Sequence, residues 1–389
     1  MKKMIALLGV TLTTIATLAE TIYPDSKMSG RQTGLPERRL VWTLESGINT
    51  NGDWEATAKF LKENGFTDVI ARMARGGVAY YNSKIVEASP KVAIEGDLLR
   101  KAVAACHKYG IRFHAWKVFW RLNEASTECQ RRFIKENRVM FGRYNKPFTG
   151  FWQNPEGKRV ASDKDDFWMC PADPRNQAEE LAVLREMASL GVDGVHLDYI
   201  RYNSWYGCYC PRCRDRYEQA RGVKVADKDW PAIVDPNNYM DTLWLRQRTE
   251  VITDIVKESV RVIKAVNPKC EVSAAVFHGN EQHIYIGQDW PMWCREGLLD
   301  FVCPMTYTPN PDQLREQIVP MMPIAADSPK TKIYPSVGVL LSYGKPRLDK
   351  KGARYHADII RWAGFPGICF YMLSPDSAPL MAAAVDVEK

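Results

Sequence analysis

Short strand-like runs alternate with segments of helical periodicity along nearly the whole chain. The runs are Leu40–Leu44, Asp68–Met73, Ile111–Phe119, Val195–Leu197, Val272–Phe277, Phe301–Met305, Ile333–Val339 and Gly367–Tyr371. Between them, apolar residues recur every third or fourth position, the period of a helix with one buried face. In Asp53–Asn64, for example, Trp54, Ala58 and Leu61 share a face and Gly65 follows as a stop. Asp97 is placed to cap a helix carrying Leu99, Val103 and Cys106, and Asp173-Pro174 opens another. A longer helix is expected from about Tyr239 to Asn267. Eight such units predict an α/β fold: a (β/α)8 TIM barrel, a single domain with long βα-loop insertions. An open doubly wound sheet is the competing arrangement, but no Gly-rich phosphate turn follows the first strand. The polar, aromatic stretch from Trp120 to Cys170 lacks periodicity, and a loop of that length in a compact domain is usually functional.

The N-terminus changes the picture of where the chain works. Lys2 and Lys3 precede an uncharged apolar run, Met4 to Ala19, which predicts a signal peptide over residues 1–19 and a secreted or periplasmic protein. Residues 20–37 read as a loose leader and 38–389 as the barrel. The run is short and Thr-rich for a membrane span, so no stable membrane insertion is expected after cleavage. Loss of Lys2 and Lys3 lowers the formal charge from +7 to +5. With no long Lys/Arg run, this argues against nucleic acid as a partner. The 12 Trp, 17 Tyr and 13 Phe offer stacking faces for sugar rings but serve equally as core.

Chemistry in such a barrel gathers where strands end on their carboxyl side. There the chain places Glu45, Arg72, Trp116, Lys117, Asp198 with Arg201, His278 with Glu281, Tyr307 and Tyr343. Asp198 closes the fourth strand between His196-Leu197 and Tyr199-Ile200-Arg201-Tyr202. A carboxylate in apolar surroundings is costly unless it is paired or used. Glycoside hydrolysis needs two carboxyl groups. Asp198 is expected to be nucleophile or base, with Asp289 of Gln288-Asp289-Trp290 as partner and Glu45 and Glu281 in reserve. Arg72, Trp116, Lys117, Arg201, Gln288, Trp290 and Tyr307 are candidate sugar contacts, with Trp293 nearby. Plainer readings stand beside these: Asp198 as a structural acid paired with Arg201, Asp289 as a cap before Pro291, Glu45 as the partner of Arg72, Arg72 and Lys117 as barrel-mouth ion pairs, the tryptophans as packing, and His196 as a buried hydrogen-bonded histidine.

Of ten cysteines, Cys106, Cys270, Cys303 and Cys369 lie in apolar patterns and read as small core residues. Cys208, Cys210 and Cys213 form a C-x-C-x-x-C group suited to a structural Zn²⁺ if a fourth ligand, Cys170 or Cys129, arrives from elsewhere. A disulfide plus a free thiol, or thiols buried in a loop knot, are the alternatives. No H-E-x-x-H pattern appears, and no cofactor is required for the hydrolysis envisaged.

The segment Val192–Tyr202 resembles the signature of the family-10-like glycosyl hydrolases. Val276-Phe277 with Gly287–Trp290 and Trp293 is similar to a second block of that family, and Phe301–Tyr307 to a third. Val41-Trp42 and Cys170–Pro174 also match, so the likeness runs from about residue 38 to 375. It departs at Asn203, where the family pattern has Pro, and in the lack of an acid at the ends of the sixth and seventh strands. The resemblance implies a (β/α)8 barrel and a secreted or envelope glycosidase, with a polysaccharide or peptidoglycan-like glycan as substrate. The competing expectations are a non-catalytic carbohydrate-binding barrel and a zinc-stabilised interaction protein.

Overall fold

The structure, a computed structural model, describes residues 36–142, 147, 152–153, 159–160, 167–204, 207–234, 241–279, 282–340 and 348–385. Eight parallel strands close into a barrel: β1 (Arg38–Thr43), β2 (Asp68–Arg75), β3 (Arg112–Val118), β4 (Gly194–Asp198), β5 (Glu271–Val276), β6 (Phe301–Thr306), β7 (Lys332–Ile333, continued by Ser336–Gly338) and β8 (Gly367–Leu373). Spatial order follows chain order, and β1 pairs with both β2 and β8 to complete the ring. β7 is broken at Tyr334-Pro335, where the missing proline N–H removes a ladder donor.

The period-two alternation sorts each strand between two cores. Leu40, Trp42, Ile70, Trp116, Val118, Ala275, Phe301, Cys303 and Cys369 belong to one buried cluster inside the barrel. Their neighbours Val41, Val69, Ala71, Phe113, Ala115, Val195, Leu197, Val302 and Ile368 pack outward with the helices. Each large apolar side chain so buried contributes about 1.5–3 kcal/mol. The principal helices are α1 (Trp54–Glu63), α2 (Leu98–Lys108), α3 (Pro174–Ala188), α4 (Thr242–Val266), α5 (Trp290–Glu296), α6 (Pro311–Ile318), α7 (Lys350–Trp362) and α8 (Ala378–Val385). Asp53, Asp97, Asp173 and Asp241 cap α1 to α4 by accepting backbone N–H bonds. The described part of the region after β3, expected to lack periodicity, includes a helix, Thr127–Lys135. Only Cys129 and Phe133 are buried on it, too few apolar positions to register as a pattern.

The amino end of the barrel is plugged by charge. Arg38 binds Asp68 and Glu271, and Asp68 also accepts from His114 at 3.0 Å. Arg112 also pairs with Asp68 at 3.0 Å, so two guanidiniums face the two acids and the Asp68–His114–Glu271 group is an ion network at the floor. Gly194 leaves room for the His114 ring: a Cβ there would lie 2.1 Å from Nδ1. With the bottom closed, the concavity belongs to the carboxyl ends of the strands. Cys106, Cys270, Cys303 and Cys369 are buried as expected. The signal segment 1–19 and the leader up to residue 35 lie outside the described residues. Among the described residues no helix is long and apolar enough to cross a membrane.

Candidate active site at the barrel mouth

Asp198 is the last residue of β4, and its side chain lies inside the mouth, 6% exposed. The next residue, Tyr199, adopts φ +55°, a left-handed conformation that costs a non-glycine residue roughly 1–3 kcal/mol. With the chain turned this way, Tyr199 N–H donates to Asp198 Oδ1 at 2.8 Å. Trp116, on neighbouring β3, donates its indole N–H to Oδ2 at 3.0 Å. Burial pushes the carboxyl above the usual aspartate range, and the Arg201 charge and the two N–H donors offset this only in part. Arg201 donates to the carbonyls of Tyr202 and Asn203 and lies over the rings of Tyr199 (4.5 Å) and Phe277 (5.0 Å).

Aromatic rings extend this region. Tyr307 stacks on Tyr371 at 4.9 Å, and Trp42 meets both edge-on at 6.3 and 5.7 Å. Tyr307 and Tyr371 remain partly exposed. Trp168 lies 5.3 Å from Tyr199. Below them, His196 is fully buried with Nδ1 2.8 Å from Ser273 Oγ. Burial holds its pKa well below the ordinary histidine value, so it is a neutral interior residue.

Further carboxylates stand beside cations. Glu45 takes Arg72 at 2.8 Å and Lys91 at 2.5 Å. Glu124, from the loop after β3, takes Arg75 at 2.6 Å and Arg72 at 3.3 Å, and also accepts from Tyr80 OH. Burial pushes both acids up, but the neighbouring guanidiniums, with Lys91 at Glu45, override it and hold both below the usual glutamate range. Arg75 links the two sets, since its charge acts on Asp198 while it pairs with Glu124. Glu124 carried no sequence signal, lying in an aperiodic loop. Trp42 and Tyr371 were legible only through strand parity.

Several expected sugar contacts lie elsewhere. Lys117 has the opposite parity to Trp116, so it points out of the barrel and pairs with Glu180 of α3 at 2.6 Å, both fully buried. Gln288 spends its amide on the Phe277 N–H and the Ala275 carbonyl, fastening the loop after β5. Trp290 and Trp293 are completely buried, the latter bonded to Thr253. Asp289 caps α5 by accepting from Met292 N–H at 3.2 Å. Glu281 and Tyr343 lie outside the described residues, and His278 stays at the end of β5, half-buried.

The three-cysteine group acquires its fourth member. Cys170, Cys208, Cys210 and Cys213 are all buried, with their sulfurs within 4.8 Å of one another. Cys129 lies apart, beside Arg132.

The profile of the family described as glycosyl hydrolase-like 10 matches residues 39–333. The chain belongs to the glycosyl hydrolase-like 10 family. The match spans β1 to the first segment of β7, and so includes Asp198, Trp116, Glu45, Glu124 and the cysteine cluster. No curated protein matches this family member in sequence. Among solved structures it is similar to the PgaB (BpsB) glycoside hydrolase domain from Bordetella bronchiseptica, with TM-score 0.63 and 13% identity over 91% of this chain and 100% of that one. It is also similar to the β-galactosidase from the psychrophilic Marinomonas ef1 (TM-score 0.57, 10% identity, 90% and 59% covered). The endo-β-1,4-mannanase from Thermotoga petrophila gives TM-score 0.52 and 11% identity, with 92% and 79% covered. At such identities these likenesses establish the barrel fold of the glycosyl hydrolase-like 10 member and nothing finer.

Proposed function

We propose that this protein is an exported glycoside hydrolase acting on a polysaccharide or cell-wall glycan, with Asp198 as its proton donor. The observation that carries the reading is the environment of Asp198: a buried carboxyl at a strand end, biased toward its protonated form, beside aromatic faces. A donor must hold its proton until the leaving oxygen needs it, and burial supplies that bias. The pairing that hydrolysis requires is one carboxyl kept protonated near another kept ionised. Glu124 is the ionised partner we favour, since it is the more exposed of the two cation-held acids and its partner Arg75 also acts electrostatically on Asp198. Glu45 is the alternative. Asp289 is assigned to capping, and Asp198 to acid rather than nucleophile. Trp116 and Arg201 position the acid. Tyr307 and Tyr371 present ring faces on which sugar C–H groups stack. The charged, apolar start of the chain supports export, and the family supports a glycan as partner.

The test is release of reducing ends from plant, algal and bacterial-wall polysaccharides. Cleavage of at least one glycan supports the reading. Tight binding without release from any of them favours the non-catalytic carbohydrate-binding barrel.

A further inference from the structure

We propose that Cys170, Cys208, Cys210 and Cys213 hold a structural Zn²⁺ that clamps two loops of the barrel mouth together. The proposal stands on the sulfur geometry and on the charge around it, independently of the sugar chemistry.

Cys170 lies 3.6 Å from Cys213 and 3.8 Å from Cys210, sulfur to sulfur. Four thiolates around one Zn²⁺ at about 2.3 Å form a tetrahedron whose edges are about 3.8 Å. A disulfide needs about 2.05 Å between sulfurs and joins them in pairs. Here Cys170 is held at nearly equal separations from two partners, as the corner of a tetrahedron is. The Phe141 N–H points at Cys208 Sγ at 3.3 Å, a donor suited to an electron-rich sulfur.

The second observation is Arg248. Its side chain is buried, 2% exposed, and shares a small void with Cys213, Tyr202 and Trp244. Its guanidinium donates to the carbonyls of Gly207 and Ser204 and lies over the Tyr202 ring at 4.2 Å, while Nε has no partner among the described residues. Among the described residues it meets no carboxylate. A buried cation without a counter-charge is expensive. Four thiolates on Zn²⁺ carry a formal charge of −2, and Arg248 stands where that charge is partly balanced. Four neutral thiols would supply no such charge.

Binding involves no electron transfer. Each Cys loses its S–H proton to solvent as its S–Zn bond forms, and all four corners are then protein ligands, so no open position remains for catalysis. The mechanical consequence follows from where the ligands sit. Cys170 ends the excursion after β3, two residues beyond Trp168. The other three lie after β4, beyond Tyr199 and Arg201. Joining them fixes the Trp168–Tyr199 contact that flanks Asp198.

The experiment is metal analysis of the full chain, purified without chelator after growth with added Zn²⁺, together with the intact mass of the denatured protein. The expected result is about one Zn per chain, a fully reduced mass, and loss of the metal in Cys170→Ser and Cys213→Ser but not in Cys129→Ser. Co²⁺ exchanged into the wild type gives a thiolate-to-cobalt charge-transfer band in the near ultraviolet. A mass lowered by the hydrogens of two disulfides, a metal-free protein with four reactive thiols, or zinc retained by both ligand variants overturns the proposal. If the variants do not fold, the wild-type metal content and thiol state decide the question alone.

Discussion

The Trp116 indole reaches across from β3 to donate to Asp198 at 3.0 Å, two residues down its own strand from Val118, the register partner of Asp198. This bond stabilises the charged form of the carboxyl, so it restrains the upward push of burial. Trp116→Phe removes the donor while keeping most of the packing. The pH limb of kcat/KM that reports Asp198 moves to higher pH, with kcat at the optimum reduced by less than about 10-fold. A pH–rate profile of the variant checks both; a limb that stays in place removes Trp116 from the positioning of the acid.

Burial of Asp198 also predicts a stability effect of definite sign. Its folded pKa is raised above the unfolded value. The stability linked to its proton is therefore fully present below the unfolded pKa and is lost as pH rises through the folded pKa. Asp198→Asn lacks that titration. The variant is more thermostable than wild type at pH 7, and the difference shrinks as pH falls toward the ordinary aspartate range. At this size each kcal/mol moves Tm by about 1–2 °C, within reach of calorimetry at two pH values. A variant less stable at pH 7 than at pH 4, relative to wild type, contradicts the desolvated carboxyl.

Lys117 and Glu180 form a buried pair behind β3, in which burial pushes the lysine pKa down and the carboxyl up. Removing either partner alone leaves an uncompensated buried group and costs about 3–5 kcal/mol, whereas Lys117→Met with Glu180→Leu restores most of the loss. Because the pair faces α3 rather than the mouth, the double variant keeps the wild-type KM for any glycan cleaved. Denaturant unfolding and steady-state kinetics separate the two effects. A raised KM with intact stability returns Lys117 to the substrate site.

These residues show which features the sequence made legible. Repeated strand and helix periods identify the barrel, and a strand ending in Asp198 locates the mouth, because both are local patterns. Lys117 reads both as a sugar contact and as an ion-pair residue, and its parity with Trp116 sends it outward to pair with Glu180. Gln288, Trp290 and Asp289 look like a ligand-binding cluster in sequence, but a seven-residue helix needs the same residue types for its cap and its packing. Glu124 and the pairing of Cys170 with Cys208, Cys210 and Cys213 depend on where the segments after β3 and β4 meet, the latter including the start of the helix Pro211–Arg221, and no pattern within either segment encodes that.

In the proposed function the Asp198 carboxyl delivers the proton that breaks the glycosidic bond. The direct measurement is the rate of reducing-end release by wild type and Asp198→Asn on one glycan the wild type cleaves, with binding of the same glycan measured by calorimetry. The expected result is a fall in kcat of about 10²–10⁴-fold in Asp198→Asn with affinity held within a few-fold. An Asp198→Asn enzyme that cleaves at the wild-type rate contradicts it.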